Sequence, residues 1–363
     1  MNKESIEFST LDQSEQKNLM NEIVRILEEQ DSHNKELFTE SIWNWQYKDL
    51  PSRKSIVCIC KNNTNVLGYY HIPIYNAVAN ETKINIGNIQ DVAVSKNTRG
   101  MGVFRKLSSF ANDEIFKSKQ VDLIYTFPNN NSIHTFVKYL DYKIIGTLGV
   151  YIYPIRIDDI IQSKLKIRFL SKCIGMSLNI LLQLTRTLNN ELELVKCHEI
   201  DDQIAQVFHE STVNFGYYLA RSKDYLNWRY LQSPKGKHLI IKVFFKDEFI
   251  GTFIFKEDEM FQSKVLLLMD FAIKNGKENL AKSALYKITK ESNSIFSNNF
   301  SLILFSGSIG LENKIKALGF YKVPNSFNPR KLNLLTKKIN PLINEDMFSE
   351  KNWYVTLGDW DVF

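Results

Sequence analysis

The sequence predicts a mixed α/β protein built from two copies of one domain. Three observations support this fold class. The chain has 363 residues, more than a single domain usually contains, and 44% of them are apolar, as expected for globular cores. A set of aromatic, glycine and aspartate positions recurs at an offset that drifts only from 183 to 178 residues. Each copy also contains a strand–helix–strand pattern, which is typical of a parallel crossover.

The internal repeat consists of matching positions that occur in the same order in both copies. A single match would be a coincidence, whereas several ordered matches at a nearly constant offset indicate duplication. Because both copies carry the aromatic residues, we expect those side chains to pack in the core. The matching positions are Asn44-Trp45-Gln46-Tyr47 with Asn227-Trp228-Arg229-Tyr230, Pro51 and Gly68 with Pro234 and Gly251, residues 91–94 with 270–273, Phe127 with Phe305, and Asp141-Tyr142 with Gly319-Phe320.

The periodicity of apolar residues assigns the elements of each copy. Val103, Leu107, Ala111 and Ile115 share one face of a helix predicted over 103–117. The other predicted elements of the first copy are strands at 55–60, 66–73, 84–94, 121–127 and 142–153 and a helix at 131–140. The second copy repeats the pattern with strands at 239–245, 249–255, 264–273 and 301–305 and helices at 277–291 and 309–318.

A connector separates the two copies. Residues 168–186 are strongly apolar, but polar residues such as Lys172 interrupt them. The stretch therefore differs from the run of about 20 apolar residues that a transmembrane helix requires, and it predicts an amphipathic helix with no membrane span. We expect an N-terminal domain over 1–155, a helical connector over 156–194 and a C-terminal domain over 195–363.

Composition narrows the class of protein. The net charge is +6, and the sequence shows no concentrated run of Lys and Arg that would indicate nucleic-acid binding. Four cysteines are too few and too scattered for a disulfide framework, and Cys58 and Cys60 flank one residue of a predicted strand, so we expect two buried thiols on one face. The N-terminus lacks the apolar core of a signal peptide, which predicts a cytoplasmic location.

The most informative segment lies between the predicted strand 84–94 and the helix 103–117. It reads Arg99-Gly100-Met101-Gly102-Val103-Phe104. Glycines before a helix let a ligand approach the backbone with no Cβ in the way. The first N–H groups of the helix lack intrahelical partners and lie at the positive end of its dipole. With the charge of Arg99, the segment predicts a pyrophosphate site. The second copy has Lys274-Asn275-Gly276-Lys277 here, and we expect no such site in it.

This segment resembles the acyl-CoA loop of the GNAT (GCN5-related) N-acetyltransferases, whose pattern is Gln/Arg-x-x-Gly-x-Gly/Ala after the fourth strand. Arg99 and Gly102 match its first two fixed positions, whereas Phe104 departs from the third. Downstream, the run from Phe127 through Ser132 and the tripeptide Leu140-Asp141-Tyr142 resemble the next motif of a bacterial branch of the family. The resemblance covers residues 40–150 and extends in weaker form to 195–330.

The resemblance implies a fold and a reaction. The fold is two tandem GNAT-like domains, each a mixed, largely antiparallel sheet with a splayed central pair of parallel strands flanked by helices. The reaction is direct transfer of an acyl group from acetyl-CoA, as co-substrate, to an amine, with no metal. In this fold the strands would part after Val94 and Phe127. The residues that the resemblance assigns to CoA are Val92, Ala93 and Val94 on the strand edge, Arg99, Gly100, Met101, Gly102, Val103 and Phe104 in the loop, and Asn129 and Asn130 on the other side.

Three residues are candidates for the chemistry, in which the amine loses a proton and the departing thiolate gains one. Asp91 precedes the expected CoA edge and is the first candidate for the base or for positioning the amine; its recurrence as Asp270 also fits a structural carboxylate. His134 begins the helix at 131–140, and an imidazole exchanges protons near neutral pH. The family's usual acid, a tyrosine, is replaced by Val137, which leaves Tyr139 or Tyr125 as substitutes.

These inferences predict a cytoplasmic N-acetyltransferase that acts on a small amine as a monomer or homodimer. By analogy with tandem-domain proteins of this kind, the favoured acceptor is a nucleotide-linked amino sugar of surface polysaccharide biosynthesis. We expect residues 352–363 to form a strand with a polar end over the inter-domain cleft, where Asp359 and Asp361 meet a cationic amine. Two alternatives stay open: an aminoacyl transferase of the peptidoglycan-bridge kind, which the glycine loop disfavours, and a non-catalytic CoA-binding scaffold, which the missing tyrosine favours.

Overall fold

The computed structural model describes residues 5–30, 39–63, 65–156, 187–260, 263–296, 298–324, 326 and 331–360. The connector helix predicted at 168–186 and Asp361 lie outside these residues. Among the helices described, none combines the length and apolar character that crossing a membrane requires. The same residues contain no group of three or more His, Cys, Asp or Glu side chains arranged to hold a metal ion.

The described residues alternate between strands and helices. The strands are β1 Glu7–Thr10, β2 Ser55–Lys61, β3 Val66–Ala79, β4 Thr82–Val94, β5 Leu123–Thr126, β6 Lys143–Thr147, β7 Gly149–Pro154, β8 Leu192–Cys197, β9 Tyr217–Leu219, β10 His238–Phe245, β11 Glu248–Met260, β12 Ser263–Ile273, β13 Leu302–Gly307, β14 Tyr321–Lys322, β15 Asn333–Lys338 and β16 Trp353–Tyr354. The helices are α1 Gln13–Gln30, α2 Glu40–Tyr47, α3 Val103–Ser118, α4 Ile133–Tyr139, α5 Asp202–Thr212, α6 Lys223–Leu226, α7 Glu278–Lys290, α8 Ser292–Phe296 and α9 Glu312–Ala317.

The strands form two mixed sheets. The first has the order β1-β2-β3-β4-β5-β15-β6, with β9 next to β3 and β16 next to β9. The second has the order β14-β7-β13-β12-β11-β10-β8. A parallel pair, β4 with β5 and β12 with β13, lies at the centre of each sheet among antiparallel neighbours. This is the predicted fold class, and it is confirmed.

The two halves of the chain exchange strands: β7 of the first half lies in the second sheet, and β9, β15 and β16 of the second half lie in the first. β7 follows β6 in the chain, yet it pairs with β13 and β14 of the second sheet. β15, from the C-terminal part of the chain, lies between β5 and β6 of the first sheet. The domain limits at 155/156 and 194/195 stay a prediction, and the sheets do not follow them, because each half supplies a strand to the sheet of the other.

The single strand predicted over 142–153 is wrong. The chain forms β6 and β7 there, and they break at Leu148, whose N–H donates to the carbonyl of Leu332 at 2.9 Å. Apolar residues run through both strands, so the pattern alone does not reveal that the second strand pairs in another sheet. The position where β6 ends and β7 begins is determined by pairing with distant strands, and no local sequence pattern indicates it.

Helix α3 is fixed by its apolar face. Val103, Leu107, Ala111 and Ile115 are buried at the predicted helical spacing. They belong to a hydrophobic cluster that includes Cys58 and Cys60 of β2. Burial raises the pKa of each of these two thiols to about 12, so both are protonated and buried, as the sequence predicts. This packing sets where α3 begins, beside the end of β4.

The two copies meet around a pair of tryptophans. The rings of Trp45 and Trp228 stack with centroids 4.7 Å apart and planes 16° from parallel. Each indole N–H donates to the backbone carbonyl of the other residue, at 2.8 Å in both directions. A contact that is identical from either side is what a two-fold relation between duplicated units produces. The expectation that the repeated aromatic residues pack in the core is confirmed, since Trp45, Tyr47, Trp228 and Tyr230 are all buried.

Candidate active site

The two central parallel strands of the first copy, β4 and β5, separate near the middle of β4. Parallel pairing of β4 with β5 runs from Ile86 with Leu123 to Ile89 with Thr126 and ends there. β4 itself continues to Val94 and stays paired with β3. Among the described residues, no other strand pairs with this last part of β4. The gap therefore opens five residues earlier on β4 than the predicted Val94, and it lies beside residues 90–94.

The glycine loop lies at the end of this gap. Gly100 and Gly102 have φ angles of +79° and +73°, a conformation that favours glycine. A Cβ built on either residue would meet nothing within 4 Å. Gly102 precedes the first residue of α3, and the helix start has no side-chain cap and no acidic residue in its first turn. The N-cap residue thus supplies no side-chain hydrogen bond to the first N–H groups of this 16-residue helix, and such a helix start suits an anion.

Three positive side chains, Arg99, Arg105 and Lys106, are exposed at the start of α3, as is the apolar Met101. Phe104, the residue that departs from the family pattern, is half-buried and packs on the hydrophobic cluster beneath α3. Its ring therefore packs partly against this cluster.

Asp91 lies at a bulge in β4. Its φ angle is +50°, and the pairing of β3 with β4 shifts register between Tyr69 and His71. The hydroxyl of Tyr47 donates to Oδ2 of Asp91. Burial, and then the Asp91 charge, raise the pKa of Tyr47 well above its ordinary value, so Tyr47 stays a hydrogen-bond donor. The bulge and the tyrosine together hold the carboxylate next to the gap.

His134 and Tyr139 form a separate group on α4. Their rings lie 5.7 Å apart, edge to face. The guanidinium of Arg105 lies 5.1 Å from the centre of the Tyr139 ring. The structure thus brings two of the three predicted catalytic residues together beside the first turn of α3, and it places Asp91 with Tyr47 instead.

The two predicted asparagines differ in their surroundings. The side-chain oxygen of Asn129 accepts from the N–H groups of Asn131 and Ser132, at 3.0 and 3.1 Å, and so shapes the turn before α4. Asn130 is exposed next to it. Contact of either residue with a ligand stays a prediction.

The second copy keeps the same parting of strands. Parallel pairing of β12 with β13 ends at Leu267 with Leu304, which lie at the same offset of 178 from Ile89 and Thr126. Gly276 has a φ angle of +79° before α7, but that helix carries Glu278 in its first turn. An acidic side chain at this position disfavours an anion.

The chain itself fills the gap of the second copy. Beyond Leu304, Ser308 donates its N–H to the carbonyl of Val355 at 3.0 Å. Beyond Leu267, the carbonyl of Phe271 accepts from the Tyr354 hydroxyl at 2.9 Å. Residues 353–360, here called the C-terminal segment, therefore contact both parted strands. The long strand predicted over 352–363 is wrong in form, because the described part is the two-residue β16 followed by a 3-10 turn at Leu357–Asp359.

The counterpart of Asp91 is part of a buried ion-pair network. Asp270 accepts from Nε of Arg221 at 3.2 Å, and Asp359 accepts from Nη2 of Arg221 at 2.6 Å. Burial alone would lower the pKa of Arg221, but the carboxylates of Asp359 and Asp270 raise it well above its ordinary value. The C-terminal segment is thus held by charge as well as by hydrogen bonds. Asp359 is buried in this network, where the sequence predicts a residue open to an amine.

A small cavity of about 10 Å³, room for about one water molecule, lies between the copies. Its wall includes Asn88 and Gln90 of β4 and Tyr125 of β5, which flank the last paired residues of the parallel strands. Gln90 and Asn88 were missed by sequence reasoning, because nothing in a strand pattern distinguishes a polar residue that lines a cavity from one that faces a helix. The rest of the wall consists of Trp45, Gln46, Tyr75, Leu219, Tyr225, Trp228, Arg229, Gly358, Asp359 and Trp360.

The fold defines a class of proteins. Neither a protein-family model nor a curated protein matches this sequence. The structure, in contrast, is similar to those of GCN5-related N-acetyltransferases. One from Anabaena variabilis has a TM-score of 0.62 at 13% identity, and the match covers 93% of this chain and 73% of that protein. One from Kribbella flavida has a TM-score of 0.58 at 10% identity, covering 93% and 72%.

A third solved structure extends the comparison. The N-myristoyltransferase of Saccharomyces cerevisiae, solved with bound myristoyl-CoA, has a TM-score of 0.55 at 12% identity, covering 93% of this chain and 84% of that protein. At such identities the likeness establishes the fold. The chain has the GNAT fold, as the resemblance of the glycine loop implies.

Proposed function

We propose that this protein is an acyl-CoA-dependent N-acyltransferase with one acyl-CoA site, in the first copy, and with acetyl-CoA as co-substrate. The glycine loop carries the proposal. Gly100 and Gly102 open onto free space at the positive end of α3, beside the gap between β4 and β5. The GNAT fold of the chain supports the same activity.

The residues present fit an acyl-CoA. The N–H groups at the start of α3 would hold the pyrophosphate, with Arg99 adding positive charge. The strand edge at Val92, Ala93 and Val94 would hydrogen-bond the amide-bearing arm. When bound, the co-substrate supplies a thioester whose acyl group reaches the gap. Asp91 precedes this edge directly, so an amine that reaches the thioester also reaches its carboxylate.

The reaction assigns a task to each candidate residue. The amine nitrogen forms a bond to the acyl carbon, the carbon–sulfur bond breaks, and the proton lost by the amine ends on the sulfur. Asp91, held by the Tyr47 hydroxyl, is our candidate for orienting the amine or receiving its proton. His134 and Tyr139 are our candidates for returning a proton to the sulfur.

The acceptor is proposed by analogy with other proteins, whereas the donor is proposed from the glycine loop. We favour a nucleotide-linked amino sugar of surface polysaccharide biosynthesis, by analogy with tandem-domain proteins of this kind. The protein would act in the cytoplasm.

Two measurements on the purified protein test the proposal. Acetyl-CoA at 100 times its Kd should stabilise the fold by about 2.7 kcal/mol, which appears as a rise in Tm. Release of free CoA thiol should then depend on an amine, and we would compare a nucleotide-linked amino sugar, a polyamine and an amino acid. No rise in Tm at millimolar acetyl-CoA would refute the acyl-CoA site.

A second candidate function has one observation in its favour. The position of the family's usual tyrosine is Val137, which is exposed on α4. This fits a protein that binds acyl-CoA without transferring the acyl group. A rise in Tm with acetyl-CoA, combined with no thiol release across the amine panel, would favour this scaffold over the enzyme.

A further inference from the structure

A pocket much larger than the cavity at Gln90 lies between the copies, away from the glycine loop. Its volume is about 610 Å³, within the roughly 300–1,000 Å³ of small-molecule sites, which often lie at domain interfaces. It is bounded by the end of β3, the start of β4, the residues around β9 and one face of α5. Asn85 in its wall precedes Val94 by about 30 Å along β4, so the pocket is distinct from the proposed acyl-CoA site.

A polar row of side chains crosses the floor of this pocket. Asn76 of β3 lies directly opposite Asn85 of β4, and Asp122, just before β5, flanks Asn85 on its other side. Oδ2 of Asp122 accepts from the Asn85 N–H at 2.9 Å, and Oδ1 accepts from Nδ2 of Asn340 at 2.8 Å. Among the described residues, none hydrogen-bonds to the side-chain amides of Asn76 and Asn85. An amide both donates and accepts, so this row suits hydroxyl groups, which do the same.

The next row of the floor adds a cation and an aromatic ring. Val78 of β3 lies opposite Lys83 of β4 on one side and opposite Tyr218 of β9 on the other. Residues two apart on a strand share a face, so this row lies beside the first on the same face, about 7 Å away. Tyr218 is buried and Lys83 is exposed. In the part of the chain that the structure describes, no carboxylate pairs with the Lys83 ammonium, which therefore suits an anionic group.

Helix α5, from the second half of the chain, forms the opposite wall. Ala205, His209 and Thr212 line the pocket and share one face of the helix by their spacing. The Thr212 hydroxyl is used inside the helix, where it donates to the carbonyl of Phe208 at 2.9 Å. His209 is exposed, and an imidazole carries at least one N–H donor in either protonation state. This wall therefore adds a donor across from the floor, and the small Ala205 leaves room for a ligand.

We propose that this pocket binds a sugar phosphate. The sugar hydroxyls bond to the row of Asn76, Asn85 and Asp122, and the phosphate lies between Lys83 and His209. The rows are about 7 Å apart, so one ligand of this size reaches both. A neutral sugar would leave the ammonium without an anion, and phosphate alone would leave the amides without partners. The pocket contains no residue that we assign to acyl-CoA or to the chemistry, so this is a further binding site of the protein.

Calorimetric titration of the full chain with three probes tests the pocket. D-Glucose 6-phosphate carries hydroxyls and a phosphate, whereas D-glucose and inorganic phosphate carry one kind of group each. We expect glucose 6-phosphate to bind at least about tenfold more tightly than either of the others, because it alone bonds to both rows. The proposal is overturned if glucose 6-phosphate does not bind, or if phosphate alone binds equally well.

Variants of the two rows locate the binding. Lys83→Met removes the cation, and Asn85→Leu removes an amide of the polar row; each should raise the Kd for glucose 6-phosphate about tenfold. Asp122 is left unchanged, because both of its oxygens hold neighbouring parts of the chain. Lys282→Met, at an exposed lysine of α7 outside the pocket wall, is the matched control and should change nothing. An unchanged Kd in both Lys83→Met and Asn85→Leu would show that the sugar phosphate does not bind in this pocket.

The glycine loop also suits a phosphate, so its contribution must be separated. Saturating acetyl-CoA should leave the Kd for glucose 6-phosphate unchanged, and so should Gly102→Asp. Displacement by acetyl-CoA, together with loss of binding in Gly102→Asp, would place the sugar phosphate at the loop and refute the pocket. The rise in Tm with acetyl-CoA should be the same in Lys83→Met as in the unchanged protein, so the pocket and the acyl-CoA site are tested independently.

Discussion

The two copies of this protein share a central parallel strand pair and differ most informatively at the gap where those strands part. In the first copy the strands part after Ile89 and Thr126, and a glycine loop opens onto the gap. In the second they part after Leu267 and Leu304, and the C-terminal segment lies against both strands. The comparison teaches that duplication preserved the gap and that the chain fills one gap itself and leaves the other open, where we propose that acyl-CoA binds.

The two equivalent aspartates show the same divergence. Asp91 is partly exposed at its bulge and is held by a tyrosine, whereas Asp270 is fully buried and shared among an arginine and two tyrosines. The first arrangement leaves a carboxylate beside the gap. The second uses the carboxylate to hold the C-terminal segment in place.

The largest effect is expected from exchanging these aspartates for asparagine. Every group that hydrogen-bonds to the Asp270 carboxylate donates to it. Arg221 and Tyr230 donate to Oδ2, and Tyr354 and the Phe271 N–H donate to Oδ1. The amide NH₂ of Asp270→Asn would face donors in either orientation, so we expect a loss of about 3 kcal/mol in the free energy of unfolding. Asp91→Asn should instead lower kcat at least about 100-fold and leave stability nearly unchanged. Urea unfolding and thiol release measure the two effects, and a reversed pattern would contradict the comparison.

The glycines before α3 and α7 give the next test. Gly102→Asp places a carboxylate at the pyrophosphate site, so acetyl-CoA binding should weaken about 10- to 100-fold. Gly276→Asp is the matched control, because Gly276 has a similar φ of +79° and equally open surroundings. Both substitutions carry the same backbone strain, and only the first should abolish the rise in Tm. Equal loss in the two variants would mean that strain, and not charge, is responsible.

Each copy also buries one histidine whose ring nitrogens lack hydrogen-bond partners, His71 in the first and His238 in the second. Burial lowers the pKa of both, that of His238 to about 3 with a further contribution from Arg229. The unfolded chain therefore binds more protons below about pH 6.5, and stability falls as the pH drops from there. At pH 5 His238 should cost about 2 kcal/mol relative to pH 7. In His238→Phe the difference in unfolding free energy between pH 7 and pH 5 should shrink by that amount, and an unchanged difference would argue against a neutral buried imidazole.

The smallest effect comes from a feature that both copies retain. Thr39 caps α2 by accepting from the Ile42 N–H at 3.3 Å, and Ser222, at the equivalent position, caps α6 by accepting from the Tyr225 N–H at 3.2 Å. Thr39→Ala and Ser222→Ala should each lower the free energy of unfolding by about 1 kcal/mol. Thermal unfolding of the two variants should agree within error, and a clear difference would show that the copies differ in stability as well as in ligand.

Much of the fold was predictable because the signals are local or repeated. The helical periodicity predicted that α3 begins at the glycine loop. The repeat predicted a pair of parallel strands in each copy. The loop could be recognised because Gly100 and Gly102 meet a backbone requirement that few other residues satisfy. The second copy has only Gly276 and no Arg-Gly-x-Gly at the equivalent position, and this predicted a copy without the site.

The other features of the fold and the site depend on contacts between distant parts of the chain, which the sequence pattern does not specify. β15 has the pattern of any buried strand, and nothing in it indicates a place between β5 and β6. Gln90 lines a cavity because the C-terminal segment lies opposite, and that segment was predicted as a strand. Asp359 was singled out for meeting a cation, and the cation that it meets in the structure is Arg221.

The exchange of strands between the two halves affects how the chain folds during its synthesis. β15 pairs with β5 across more than half of the chain, so the first sheet keeps an open slot between β5 and β6 while synthesis proceeds. Pairing over such a separation slows folding, and an unpaired slot is a place where nascent chains aggregate or pair wrongly. The slot between β5 and β6 in the first sheet is therefore filled only after the ribosome has passed residue 338. A chain cut between the halves should yield an N-terminal fragment without β9, β15 and β16 of its sheet and a C-terminal fragment without β7 of its sheet.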